Sequence, residues 1–154
     1  MPEDFMLLGD SQLKVARYKD AAATLQTYLK SVKLPVPKVV GLLALSDAQI
    51  GMSALDDAQR SVDEGLTLQP EGEYNGRLRI KAGDILMKRG KLEEAAKVYE
   101  SVGVMLDDPE ITPRALEKAM EAWKAAGRDD EAGKTLNKIK SRYPEYWQRK
   151  HTTP

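Results

Sequence analysis

Apolar residues recur along this chain at steps of three and four, and the recurrence itself returns every 37 residues. Between Arg77 and Lys88 the run carries Leu78, Ala82, Ile85 and Leu86 at the spacing that lines one face of a helix. Arg89-Gly90-Lys91 interrupts it, with Gly90 suited to the left-handed residue that closes a helix. A second run starts at Leu92 and carries Ala95, Val98, Tyr99 and Val102. The same helix–turn–helix sequence follows around Ala126-Gly127-Arg128. No segment alternates apolar and polar residues with the period of two that a half-buried strand requires. The pattern predicts an all-α protein built from repeated helical hairpins.

The register of the repeat is fixed by four alanines, Ala21, Ala58, Ala95 and Ala132. Four residues beyond each stand Leu25, Val62, Tyr99 and Leu136, and thirteen before stand Leu8, Leu45, Ala82 and Ala119. Sixteen before, Phe5, Leu42 and Leu116 are apolar and Arg79 is not. The hairpins predicted on this register cover about 2–35, 39–70, 76–107 and 113–144 of a single repeat domain, with 145–154 as a short C-terminal segment. The alanine column marks a structural position: where two helices of a hairpin cross closely, a side chain larger than methyl would push them apart. Acidic pairs (Asp56-Asp57, Glu93-Glu94, Asp130-Glu131) open second helices, where carboxylates favour the positive end of the helix dipole. Pro35, Pro37, Pro70, Pro109, Pro113 and Pro144 fall between copies, where proline stops one helix or begins the next.

Leu116, Ala119, Met120, Trp123, Gly127, Ala132, Leu136, Ile139 and Pro144 in the fourth copy, with Leu42, Leu45, Ser46, Ala58 and Pro70 in the second, fall on one set of columns. In these residues the chain resembles the tetratricopeptide repeat family over roughly 2–144. The resemblance implies a right-handed superhelix of about eight antiparallel helices and a non-catalytic, protein-binding role. Two departures stand out: the period is 37 rather than about 34, and Ala16 stands where a turn glycine is usual in the first copy. The resemblance also implies that the first helix of each hairpin lines the binding face. Family members that clamp a carboxylate there use asparagines and lysines. The corresponding columns here hold Asp10 and Asp47, or Leu7 and Ala44, which argues against that type of clamp.

Composition narrows the function further. The chain is 42% hydrophobic and 31% charged, with 24 basic and 24 acidic residues, so net charge gives no pull toward nucleic acid or anionic lipid. Residues 1–75 carry 7 of the basic and 11 of the acidic residues, and 76–154 carry the other 17 and 13. An elongated molecule with that imbalance would have a dipole, and end-to-end self-association into a larger assembly is the alternative functional expectation. The longest apolar run, Val39 to Leu45, is far short of the ~20 residues that span a bilayer. The start, Met1-Pro2-Glu3-Asp4-Phe5, lacks the basic and apolar regions of a signal peptide, and the compartment is left open between cytoplasm and periplasm. The absence of cysteine excludes disulfides, thiolate metal sites and cysteine nucleophiles.

No catalytic, cofactor or metal site is expected. His151 is read as a tail residue, the Asp56-Asp57 and Asp129-Asp130 pairs as helix starts, and no phosphate-binding loop, zinc-binding helix or nucleophile elbow is present. The expected partner is another protein or a peptide segment. Its candidate contacts lie on the first helices. An acidic column, Asp10, Asp47, Asp84 and Glu121, reads either as a solvated helix face or as an anionic ladder for a basic or amide-rich segment. Apolar residues flank it, Met6, Leu43 and Ile80 in one column and Leu13, Ile50 and Met87 in another; stripes at this spacing read as core more often than as a binding surface. Arg77, Lys81, Arg114 and Lys118 give the later copies a basic edge, with Lys88 beside them. Charge reversal at Asp47 and Asp84 is expected to abolish capture without lowering stability. After Pro144, Tyr146 and Trp147 either fold back over Leu136 and Ile139 or leave the last hairpin to be covered by a further helix or another chain.

The register makes its own demand on stability. Ala95→Leu or Ala132→Leu should cost about 1–3 kcal/mol through overpacking, read as a fall in thermal midpoint; variants that melt with the wild type would show the register to be wrong.

Overall fold

A computed structural model describes residues 1–152. Among them the chain is all-α, with nine helices: α1 (Pro2–Lys14), α2 (Tyr18–Ser31), α3 (Pro35–Gly51), α4 (Leu55–Thr67), α5 (Gly72–Lys88), α6 (Leu92–Met105), α7 (Ile111–Ala125), α8 (Asp129–Arg142) and α9 (Pro144–His151). The first eight follow one another as the helical hairpins that the sequence predicts. Contacts divide the chain into two compact units, residues 1–81 and the residues from 82 onward, with the boundary inside α5.

In the first unit α1 packs on α2, α2 on α3 and α3 on α4. Its core holds Ala21, Ala22 and Leu25 of α2 with Ala44, Leu45 and Ala48 of α3, and Met6 and Leu13 pack against it. Ala21 and Ala58 have no exposed surface, as helix-crossing residues should. The junctions between hairpins keep their volume by exchanging sizes. A Cβ on Gly41 would lie 2.6 Å from the Tyr28 ring, and one on Gly65 would lie 2.7 Å from Leu78. Residues 28 and 41 hold the same repeat positions as 65 and 78. One junction therefore sets a large α2 residue against glycine, and the next sets glycine against a large α5 residue. The buried polar pair in this unit is satisfied, since Ser61 Oγ donates to Gln49 Oε1 at 2.7 Å.

In the second unit α6 packs on α7, α7 on α8 and α8 on α9. Ala95 and Ala132 are buried. Gly83 gives way to the Tyr99 ring, 2.3 Å from where a Cβ would stand. The C-terminal segment folds back, and Tyr146 of α9 joins Leu116, Ile139 and Tyr143 in one core, with Trp147 against it. Polar contacts fix this cap. Tyr146 donates its hydroxyl to Glu117 at 2.7 Å, and Arg149 reaches Glu110 at 2.7 Å. Burial beside the Glu117 carboxylate raises the Tyr146 hydroxyl well above its ordinary pKa, so it remains a donor. The expectation that His151 belongs to an unstructured tail is corrected here. It is the last residue of α9, its ring stacks on Trp147 at 3.6 Å, and Nε2 lies 3.0 Å from Glu117 Oε1.

All four turns inside the hairpins close in one way. The N–H groups of Arg17, Ala54, Lys91 and Arg128 donate to the carbonyls of Gln12, Gln49, Leu86 and Trp123, at 2.8–2.9 Å. That six-residue loop needs a left-handed residue just before the donor. Gly90 and Gly127 supply it at φ 75° and 72°, but Ala16 and Ser53 occupy the same place at φ 57° and 58°. The missing glycine of the first copy therefore changes the cost of the turn and leaves its geometry intact. Ser53→Gly should raise stability and Gly90→Ala should lower it, each by about 1 kcal/mol. Paired thermal melts test this, and a shift of the same sign in both variants would contradict it.

Candidate interaction face

The acidic column and the basic edge, separate features in the sequence, meet in space. In the first unit Lys81 Nζ of α5 lies 2.5 Å from Asp47 Oδ1 of α3. In the second unit Lys118 Nζ of α7 lies 2.9 Å from Asp84 Oδ1 of α5. Both pairs join residues 34 apart, one repeat less one helical turn, because neighbouring first helices bring an acid of one copy beside the lysine a turn earlier in the next. Asp84 also accepts the Tyr99 hydroxyl at 2.6 Å, and Lys118 sits 5.8 Å above the Tyr99 ring. Burial and that hydrogen bond hold the Tyr99 hydroxyl far above its ordinary pKa, so it stays protonated.

These contacts settle what a charge change here would do. Asp84 supports a buried tyrosine and a lysine, so its reversal cannot leave stability untouched as the sequence had suggested. It would place a cation against Lys118 and strand a buried hydroxyl. Asp47 is half-exposed and sits beside a single lysine in the same arrangement.

Asp10 departs from the pattern. The register that gives Asp47 and Asp84 their lysines places residue 44 beside Asp10, and that residue is Ala44, a core side chain. Partial burial raises the Asp10 pKa; Lys14 on its own helix opposes the shift, and the Asp47 carboxylate from α3 adds to it. Glu121, at the other end of the column, is exposed.

The remaining candidates divide by burial. Ile80 is 3% exposed and belongs to the core, so its side chain is not at the surface. Met6 and Leu13 are partly buried against the first core, and Leu43, Ile50 and Met87 are partly exposed. Arg77 pairs with Glu73 of its own helix at 3.0 Å, and Arg114 is exposed. Sequence reasoning missed the 34-residue pairing and the role of Tyr99. The signal for the first was present, since lysines at 81 and 118 stand one turn before acids at 84 and 121. Among the described residues no group of three or more acidic or imidazole side chains is arranged to hold a metal ion, and no helix is long and apolar enough to cross a membrane.

A carboxylate whose folded-state pKa is raised costs stability while ionised. The cost is complete above that pKa and disappears as pH falls below the ordinary aspartate range. Asp10→Asn should therefore raise the thermal midpoint at pH 7, with a gain that fades on acidification. Asp84→Ala should lose about 1–3 kcal/mol by leaving the Tyr99 hydroxyl unpaired. Melts of both variants across pH test the contrast, and a destabilised Asp10→Asn at neutral pH would refute it.

No curated protein matches the chain. The family model for the Tetratricopeptide repeat matches residues 114–146, which are α7, α8 and the start of α9. That segment contains Leu116, Ala119, Trp123, Gly127, Ala132 and Pro144, the columns from which the repeat register was built. Residues 114–146 are a tetratricopeptide repeat, and the chain is a helical repeat protein whose other hairpins are consistent with the same family.

Proposed function

We propose that this chain is a non-catalytic scaffold that holds an extended or helical segment of another protein on the face made by its first helices. A tetratricopeptide repeat implies protein–protein interaction as the general role; the choice of face is our own reading. One observation carries it. Charged groups on this face are held in place by their neighbours, as Asp47 is by Lys81 and Asp84 by Lys118 and Tyr99. Beside them Leu43, Ile50 and Met87 are left partly exposed.

Binding is weakened by every side chain that must be immobilised on association, so groups already fixed by intramolecular ion pairs cost less to use. Charged groups of both signs give register and partner choice, while partly exposed aliphatic side chains supply area. Arg77, Lys81, Arg114 and Lys118 extend the same face toward acidic groups of a partner, and Asp10, Asp47, Asp84 and Glu121 toward basic ones.

The test is a displayed library of random twelve-residue peptides selected on the immobilised protein, with selected peptides mapped by backbone amide shifts. Contacts should centre on α1, α3, α5 and α7. Leu43→Ser combined with Ile50→Ser should weaken the selected peptides at least tenfold, while Asp63→Ser on exposed α4 surface should leave them unchanged. Peptides that map to the second helices instead would sink the reading.

A further inference from the structure

A cleft of about 590 Å³ opens in the first unit between α1, the end of α2 and the start of α3. It falls in the size range of ligand-binding pockets. Its apolar wall is formed by Met6 and Leu7 of α1, Val32, Leu34 and Pro37. Two of these are unusually open: Leu7 is 70% exposed and Leu34 69%. Apolar surface gathered at a concave site with a few polar groups is the pattern of a binding site; scattered single residues are ordinary.

The polar groups of the cleft have a definite sign. Glu3, Asp10 and Lys33 line it, and Asp47 from α3 adds its field at Asp10. Within this chain the acidic column is completed by lysines from the following copy, Lys81 at Asp47 and Lys118 at Asp84. At Asp10 the corresponding position is taken by Ala44, which has no cation to offer. A carboxylate thus stands at an apolar cleft, beside the field of a second carboxylate, in a hairpin whose first helix receives no lysine from the following copy.

We infer that this cleft takes an apolar peptide segment bearing one lysine or arginine, whose cation meets Asp10 as Lys81 meets Asp47, while its aliphatic or aromatic neighbours cover Leu7 and Leu34. The partner supplies in trans the ion pair that the later copies make in cis. The inference rests on the proposed scaffold role and locates one anchor of it. Glu3 at the cleft reinforces the attraction, and Asp47 adds less because Lys81 already pairs with it; Lys14 and Lys33 oppose it, which limits the site to a single cation instead of a basic run.

The probes are nine-residue synthetic peptides with Leu, Met or Phe at three positions and Lys, norleucine or Glu at the centre. They are measured by fluorescence anisotropy against the full chain. The best lysine peptides should bind at least tenfold more tightly than their norleucine counterparts, and the glutamate series should bind least. In Asp10→Asn the lysine and norleucine series should become equal, with the fold retained by circular dichroism. Leu7→Ser combined with Leu34→Ser should weaken every member of the library at least fivefold. A lysine preference that survives Asp10→Asn overturns the inference. So does binding confined to the Leu43–Ile50 surface, which leaves the scaffold reading standing; binding by no peptide from either this set or the displayed library defeats both. Sedimentation velocity at rising protein concentration provides the last arm: self-association that protects α1 would make a second copy of the chain the occupant and would also overturn the inference.

Discussion

Close approach of helices is the constraint from which the rest of this molecule follows. Ala21, Ala58, Ala95 and Ala132 are buried, and glycines stand where a neighbouring Leu or Tyr fills the space a Cβ would need. At separations this small, dispersion contacts are dense and any added volume must displace backbone. The exchange between Tyr28 over Gly41 and Gly65 against Leu78 shows that the total volume of a junction is kept while its distribution between helices is free to vary. A repeat protein can thus carry different residues at the same position without changing how its hairpins meet.

That packing also creates the polar face. Once neighbouring first helices lie side by side, an acid in one copy and a lysine one turn earlier in the next are within ion-pair range, as in Asp47 with Lys81 and Asp84 with Lys118. Surface ion pairs of this kind contribute only ~0–1 kcal/mol each. Within each unit the pair holds a carboxylate and an ammonium in fixed positions on neighbouring helices. Asp84 carries more weight than its counterpart because Tyr99 donates a hydroxyl to it from the adjoining hairpin helix. Asp10, without a lysine from the next copy and with burial raising its pKa, is the point at which the pattern remains open to an outside cation.

The packing surface of a repeat hairpin is covered by whatever element follows it in the stack. Here the eight residues of α9 pack on α8 and contribute to that cover. Tyr143 and Tyr146 fill the core around Leu116 and Ile139, and their hydroxyls reach Asp107 at 2.6 Å and Glu117 at 2.7 Å. Aromatic residues suit this task because each buries a large apolar ring while its polar tip remains satisfied at the edge. On α1, Phe5, Leu7 and Leu8 are exposed.

Much of this fold was legible in the residues alone. Four alanines 37 apart, turn residues at Gly90 and Gly127, and prolines between copies fix helix placement because they act through local sterics and a repeat period, both of which are properties of the chain. The same reasoning named the charged columns on the first helices. It could not tell which members of those columns are free, because that depends on side chains that neighbouring helices bring against them. Ile80 read as either core or groove and is core, Asp84 looked reversible and supports Tyr99, and His151 looked like tail and stacks on Trp147. Sequence determines which side of a helix is apolar and where the helix stops. Only the tertiary structure decides which charge meets which, since ion pairing depends on distances of a few ångströms between helices that the chain itself does not specify.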